Sequence, residues 1–232
     1  MLEAGIGFKH EVVVDSARGG ERLPLVTFHK WEEFTEREQE IYIQALLEAW
    51  SFTLFGYSGT KEKQPPKEFS AFTACAEGEE IASFRRLPDV GYFLGDIDKS
   101  AVEHFFNQTP IICEKYIDKG DGSWRPVKII SKKDWGSFSD KEKKTYLTGY
   151  IDLSYFFTVR MVTGLSSTEK YKSDKEALKF LDGLKKDQED LEKCMNRVGI
   201  DGVYSQMRQK EIEWQYPLSW SAASALGNTC KH

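Results

Sequence analysis

The chain has 232 residues, 40% hydrophobic and 30% charged, with 32 basic against 37 acidic side chains and a net charge of −5. That length can bury a core of its own, and the acidic balance lacks the concentrated cations of a nucleic-acid surface. The longest apolar stretch, Tyr150 to Met161, is broken by Asp152 and Arg160 and falls far short of the ~20 residues of a membrane span, so neither nucleic acid nor a bilayer is an expected partner.

Residues 1–22 read as a lead-in, with Glu11 to Asp15 extended and Arg18-Gly19-Gly20-Glu21 a turn. They lack the basic and apolar regions of a signal peptide, which fits a cytoplasmic protein or a mature one whose leader is not in this chain. Leu23-Pro24-Leu25-Val26 before Trp31, like Pro126-Val127-Lys128-Ile129-Ile130 before Trp135, reads as a brief extended approach, a candidate isolated strand. From Trp31 a pattern begins that returns later. Trp31, Phe34, Glu38 and Tyr42 reappear as Trp135, Phe138, Glu142 and Tyr146 at an offset of 104 residues, the distance from Trp31 to Trp135. Conservative pairs extend the register through Arg37/Lys141, Ala45/Gly149, Glu48/Asp152 and Phe52/Phe156. A period this long predicts two copies of one small domain: repeat 1 over 23–117 and repeat 2 over 118–232, with Asp118 to Arg125 as the linker.

Each copy opens its first helix with a capping box, Thr35 with Glu38 and Ser139 with Glu142, and with Phe34 or Phe138 as the staple residue before it. Tyr42, Ala45, Leu46 and Ala49, and in parallel Tyr146, Gly149, Tyr150 and Leu153, recur at helical spacing and predict a buried stripe. Polar loops follow at Gly56 to Pro66 and Thr163 to Ser173. In the first copy Cys75 lies behind Phe72, and Asp98 to Gln108 is helical up to an interruption at Pro110. In the second, a long amphipathic helix carries Leu178, Leu181, Leu184, Leu191, Cys194 and Val198 inward, Val203 to Trp214 continues as helix, and Pro217 opens a last helix ending at Cys230. The predicted fold is all-α.

The four cysteines divide two and two. Cys75 and Cys113 are 38 apart, and Cys194 and Cys230 are 36 apart, without the clustering that zinc or a redox pair requires. Matched spacing in a repeated unit predicts one disulfide within each copy, Cys75 with Cys113 and Cys194 with Cys230. Each would stabilise its copy by about 4 kcal/mol and would persist only in an oxidising compartment, periplasmic or extracellular. Four free buried thiols in a cytoplasmic protein are the alternative.

Over residues 135–230, the Tyr146-x-x-Gly149 helix, Cys194 followed by Val198-Gly199-Ile200, then Pro217, Ala222-Ala223, Leu226 and Cys230, resemble the type VI secretion amidase-immunity family. Its domains are small, periplasmic and helical, and they share size and disulfide use with the HdeA-like acid-stress chaperones. The resemblance implies an all-α fold and a protein-binding role in two tandem copies. Repeat 1 departs from it by carrying Ala45 where the glycine stands.

No catalytic, cofactor or metal residue is expected. His10, His29, His104 and His232 are scattered, no glycine-rich phosphate loop or nucleophile elbow occurs, and Glu38 and Glu142 are explained by capping before any acid–base role. Trp31 and Trp135 read as buried anchors more readily than as ligand platforms. The expectation is therefore an exported, non-enzymatic protein-binding module, an inhibitor or immunity protein, with the dissimilar loops Tyr57 to Gln64 and Thr163 to Lys172 as contact candidates. An acid-stress chaperone and an enzyme with its site between the copies are the alternatives.

Overall fold

The computed structural model describes residues 23–58, 67–118, 127–167, 175–209, 212 and 214–230. The lead-in and nearly all of the expected linker lie outside them. Every regular element among the described residues is helical, as the sequence predicts. In chain order these are α1 (Phe28–Glu33), α2 (Glu36–Ser58), α3 (Lys67–Gly78), α4 (Ile81–Phe93), α5 (Ala101–Cys113) with a 3-10 turn over Glu114–Tyr116, α6 (Lys132–Ser137), α7 (Asp140–Ser167), α8 (Lys175–Gln209) and α9 (Leu218–Cys230).

Both expected capping boxes form. The Thr35 N–H donates to Glu38 Oε2 at 2.9 Å and the Glu38 N–H to Thr35 Oγ1 at 3.2 Å. At the start of α7, the Ser139 N–H donates to Glu142 Oε2 at 2.6 Å and the Glu142 N–H to Ser139 Oγ at 3.2 Å. A further box, Ser131 with Asp134, starts α6. Trp31 and Trp135 are buried anchors, packed edge-on against Tyr42 at 5.9 Å and Tyr146 at 5.8 Å.

α2 and α7 cross at the middle of the molecule, where Ala45 meets Gly149. A Cβ on Gly149 would lie 2.7 Å from the Tyr42 carbonyl oxygen and 2.9 Å from Ala45 Cβ, so the crossing requires a glycine there. Around it runs one continuous core to which both copies contribute, Tyr42, Phe84 and Phe105 from the first and Tyr146, Ile151 and Val203 from the second.

The remaining helices close each copy with a disulfide. Cys75 of α3 is bonded to Cys113 of α5, with Cα atoms 5.3 Å apart, and Cys194 of α8 to Cys230 of α9 at 5.4 Å. No cysteine is free. Gly199, at φ 59° and ψ −174°, divides α8 into two helical stretches. The positive φ is what selects glycine at that bend.

Several sequence expectations need correction. The approaches before Trp31 and Trp135 are not strands, because their N–H groups go to side-chain carboxylates instead of a neighbouring strand. Pro110 does not interrupt α5, which runs on to Cys113. The proline removes one N–H, while buried Thr109 and Cys113 hold the helix to the core on either side and Thr109 Oγ1 donates to the Phe105 carbonyl at 2.7 Å. Helical structure reaches Ser58 and Ser167, into the expected loops, and the helix expected to extend to Trp214 is described as far as Gln209, with Ile212 and Trp214 outside it. Leu178 faces outward, whereas Leu181 and Leu184 are buried.

Candidate functional site

The residues that the repeat singles out converge on the joint between the copies. Asp152, on α7, is fully buried and accepts three hydrogen bonds from repeat 1: from the Leu25 N–H at 2.5 Å, the Val26 N–H at 3.1 Å and the Tyr42 hydroxyl at 2.8 Å. Glu48, on α2, is equally buried and accepts the counterparts from repeat 2: the Ile129 N–H at 2.6 Å, the Ile130 N–H at 2.7 Å and the Tyr146 hydroxyl at 2.5 Å. Donors and acceptors alike are related by the offset of 104. Each copy's carboxylate thus satisfies the other copy's chain.

The same reciprocity appears at the capped starts of α2 and α7, which lie side by side. Arg37 approaches Glu142 at 3.7 Å, and Lys141 meets Glu38 at 2.7 Å. The Arg37 guanidinium also lies 5.2 Å from the centre of the Phe138 ring. Burial alone would raise the Glu38 pKa, but the bonds from Lys141 and Thr35 hold it below the ordinary value.

Burial dominates at the two joint carboxylates. Asp152 is pushed up to about 7, against the pull of the Leu25 N–H, the Tyr42 hydroxyl and the Val26 N–H. Glu48 is raised for the same reason, opposed by Tyr146, Ile130 and Ile129. Tyr42 and Tyr146 are driven well above the ordinary phenol by burial and then by the facing carboxylate. A phenol oxygen can accept as well as donate, so each carboxyl can take up a proton and turn its bond to tyrosine around while keeping the backbone N–H groups paired. Sequence reading placed Glu48 and Asp152 in register and missed their role. Their partners are 81 to 127 residues away, and the one available signal was an acid repeated within an apolar helical stretch.

The copies differ at the surface. Trp31 Nε1 donates to Asp89 at 2.7 Å, whereas Trp135 lines an open cleft of about 260 Å³ with Asp140, Lys143, Tyr204, Met207 and Arg208. There the Tyr204 hydroxyl donates to Asp140 at 2.6 Å, which lowers the carboxyl pKa, with Arg208 3.9 Å from the same carboxylate. Tyr204 itself is raised to about 12 by burial and by Asp140. Among the described residues, large apolar side chains also stand in water: Val90, Phe93, Leu94 and Ile97 at and after the end of α4; Ile111 and Ile117; Leu178 and Phe180 on α8; and Tyr216 stacked on Trp220 at 5.1 Å.

Of the expected contact loops, Tyr57–Ser58 and 163–167 belong to α2 and α7, and 59–64 and 168–172 lie outside the described residues. His104 is buried and bonded to the Asp96 carbonyl at 3.0 Å, and His29 is exposed beside Phe28. Among the described residues no group of three His, Cys, Asp or Glu could hold a metal ion, and no helix is long and apolar enough to cross a membrane. Two disulfides fit an oxidising environment outside the cytoplasm. No protein family, curated protein or solved structure matches the chain.

Proposed function

We propose that this chain is an exported protein-binding module that acts by occupying a partner and not by turning over a substrate. The observation that carries the reading is the pairing of a fixed scaffold with apolar side chains held in solvent. Two disulfides and the reciprocal joint hold the helices, while Phe93, Leu94, Ile111 and Trp220 remain at the surface. Apolar side chains grouped on a rigid frame are the ordinary composition of a recognition surface. The repeated polar residues are meanwhile taken up in helix caps at the surface and in the buried joint.

The resemblance over residues 135–230 sharpens the proposal to an inhibitor or immunity protein of the periplasm or cell exterior. Affinity capture with the disulfide-intact chain, followed by titration calorimetry with the purified captured protein, tests it. Saturable binding at a fixed stoichiometry supports the reading. A chemical turnover by the chain alone, or no binding by any captured protein once purified, would overturn it.

A further inference from the structure

The end of α4 and the turn after it carry four large apolar side chains in solvent. Phe93 is 90% exposed, Leu94 73%, Ile97 54% and Val90 46%. The backbone beneath them is held. The Leu94 N–H donates to the Val90 carbonyl at 3.1 Å, Gly95 N–H to Tyr92 at 3.0 Å and Lys99 N–H to Asp96 at 3.2 Å, and Gly95 takes the φ of +92° that the turn needs. His104 reaches up from α5 to donate to the Asp96 carbonyl. Its ring lies directly on the α4 backbone, since a Cβ on Gly91 would be 2.0 Å from His104 Nδ1. Tyr92, turned inward, packs edge-on against both His104 at 4.6 Å and Phe28 at 4.9 Å. Phe93 and Leu94 are therefore projected from a turn already ordered, and a partner would not have to supply the ordering cost.

Acidic side chains outnumber basic ones around this group by three to two. Asp89, Asp96 and Asp98 flank the apolar side chains. Lys99 is engaged by Asp96 at 2.9 Å, Asp89 accepts from Trp31 at 2.7 Å and Arg86 stands one turn before Val90, which leaves exposed Asp98 as the acid of the turn that faces a partner. We infer that this knuckle is a docking element that seats Phe93 and Leu94 in an apolar pocket of a different protein whose rim is lined by Lys or Arg. The inference rests on the protein-binding reading above. A second copy of the chain is the poorer occupant. A two-fold contact here would set the aspartates against each other.

The test places p-benzoylphenylalanine at Phe93 in one preparation and at Ile111 in another, each irradiated in an extract of the cells that make the protein. The adduct partner is identified by mass spectrometry, purified, and titrated against the unsubstituted chain. Expected is an adduct from position 93 to a protein whose binding weakens about 100-fold with Phe93→Asp and about 10-fold with Asp98→Lys, the latter chiefly at low salt. Both side chains are solvent-exposed, so the melting temperature should not move. An adduct joining two copies of the chain, or unchanged affinity of the purified partner for Phe93→Asp, would overturn the inference. An adduct from position 111 alone to a protein that binds when purified would overturn it while leaving the protein-binding reading in place. Adducts from neither position would overturn the inference, and the capture and calorimetry above would then decide the protein-binding reading by itself.

Discussion

Asp152 does for Leu25 and Val26 what a neighbouring strand would do, taking up backbone N–H groups that have no helix to join. Removing the carboxyl would strand two N–H groups and the Tyr42 hydroxyl in the core. Asp152→Ala is expected to cost about 3–5 kcal/mol in urea denaturation, and Asp152→Asn less, because the amide oxygen still accepts from Val26 and Tyr42 while its NH2 faces the Leu25 N–H. The two variants also separate packing from charge. The Asp152 pKa is raised in the folded chain to about 7 from an ordinary 3.8, so its proton contributes stability fully below the unfolded value, and that contribution is lost as pH rises through about 7. Glu48 has the same sign. Glu38, held below its ordinary 4.5, has the opposite sign, contributing above that value and losing its contribution as pH falls. The urea midpoint should therefore rise on acidification from pH 8 toward 5 and fall again below about 4. Asp152→Asn should flatten the first limb; a limb unchanged by the substitution would show that Asp152 does not titrate there.

At the scale of elements, the α2–α7 crossing has room for one methyl group and not two. Gly149→Ala would set a Cβ against Ala45 and the Tyr42 carbonyl and is expected to cost about 1–3 kcal/mol, read as a lowered melting temperature. How much of this was legible in advance depended on how local the cause was. The capping boxes of α2 and α7 were readable because a hydroxyl and a glutamate three residues apart carry the whole interaction. The cysteine pairs were readable from matched spacing. Pro110 misled because its local penalty is outweighed by the burial of α5 around it. The approaches looked like strands because extended backbone is chosen there by an acceptor in the other copy, which no local window contains. Phe93 and Leu94 attracted no notice in the sequence, since apolar residues at helical spacing give no sign of facing outward until the packing of α4 is known.

The whole molecule is fastened at both extremes by disulfides and in the middle by hydrogen bonds. Cys194→Ser with Cys230→Ser should lower stability by about 4 kcal/mol on the chain-entropy account, measured by urea unfolding under non-reducing conditions. Loss of the α8–α9 bond should leave the Asp152 half of the joint formed, because its partners lie at 25–26 and 42, outside that loop, whereas Glu48 also takes the Ser219 backbone N–H from within it and should feel the loss. Tyr155 and Trp135 fluorescence would then report local loosening of the second copy before global unfolding.

The reciprocal joint also bears on what half of the chain would do by itself. Repeat 2 contains an acceptor, Asp152, and a complete set of donors in Ile129, Ile130 and Tyr146, which in the intact chain are served by Glu48 across the joint. Within a lone half, the acceptor and the donors are placed to serve a neighbour and not each other. Cut free, residues 127–230 would be complementary to their own likeness, with an aspartate one methylene shorter than the glutamate it replaces. The expected product of expressing that fragment is a symmetric homodimer by light scattering, reduced to unfolded monomer by Asp152→Ala. Mixing in residues 23–118 should dissolve the pair into a one-to-one heterodimer, the longer Glu48 reclaiming its donors. Covalent continuity would then be a matter of effective concentration, holding together two polypeptides already fitted to meet as separate molecules.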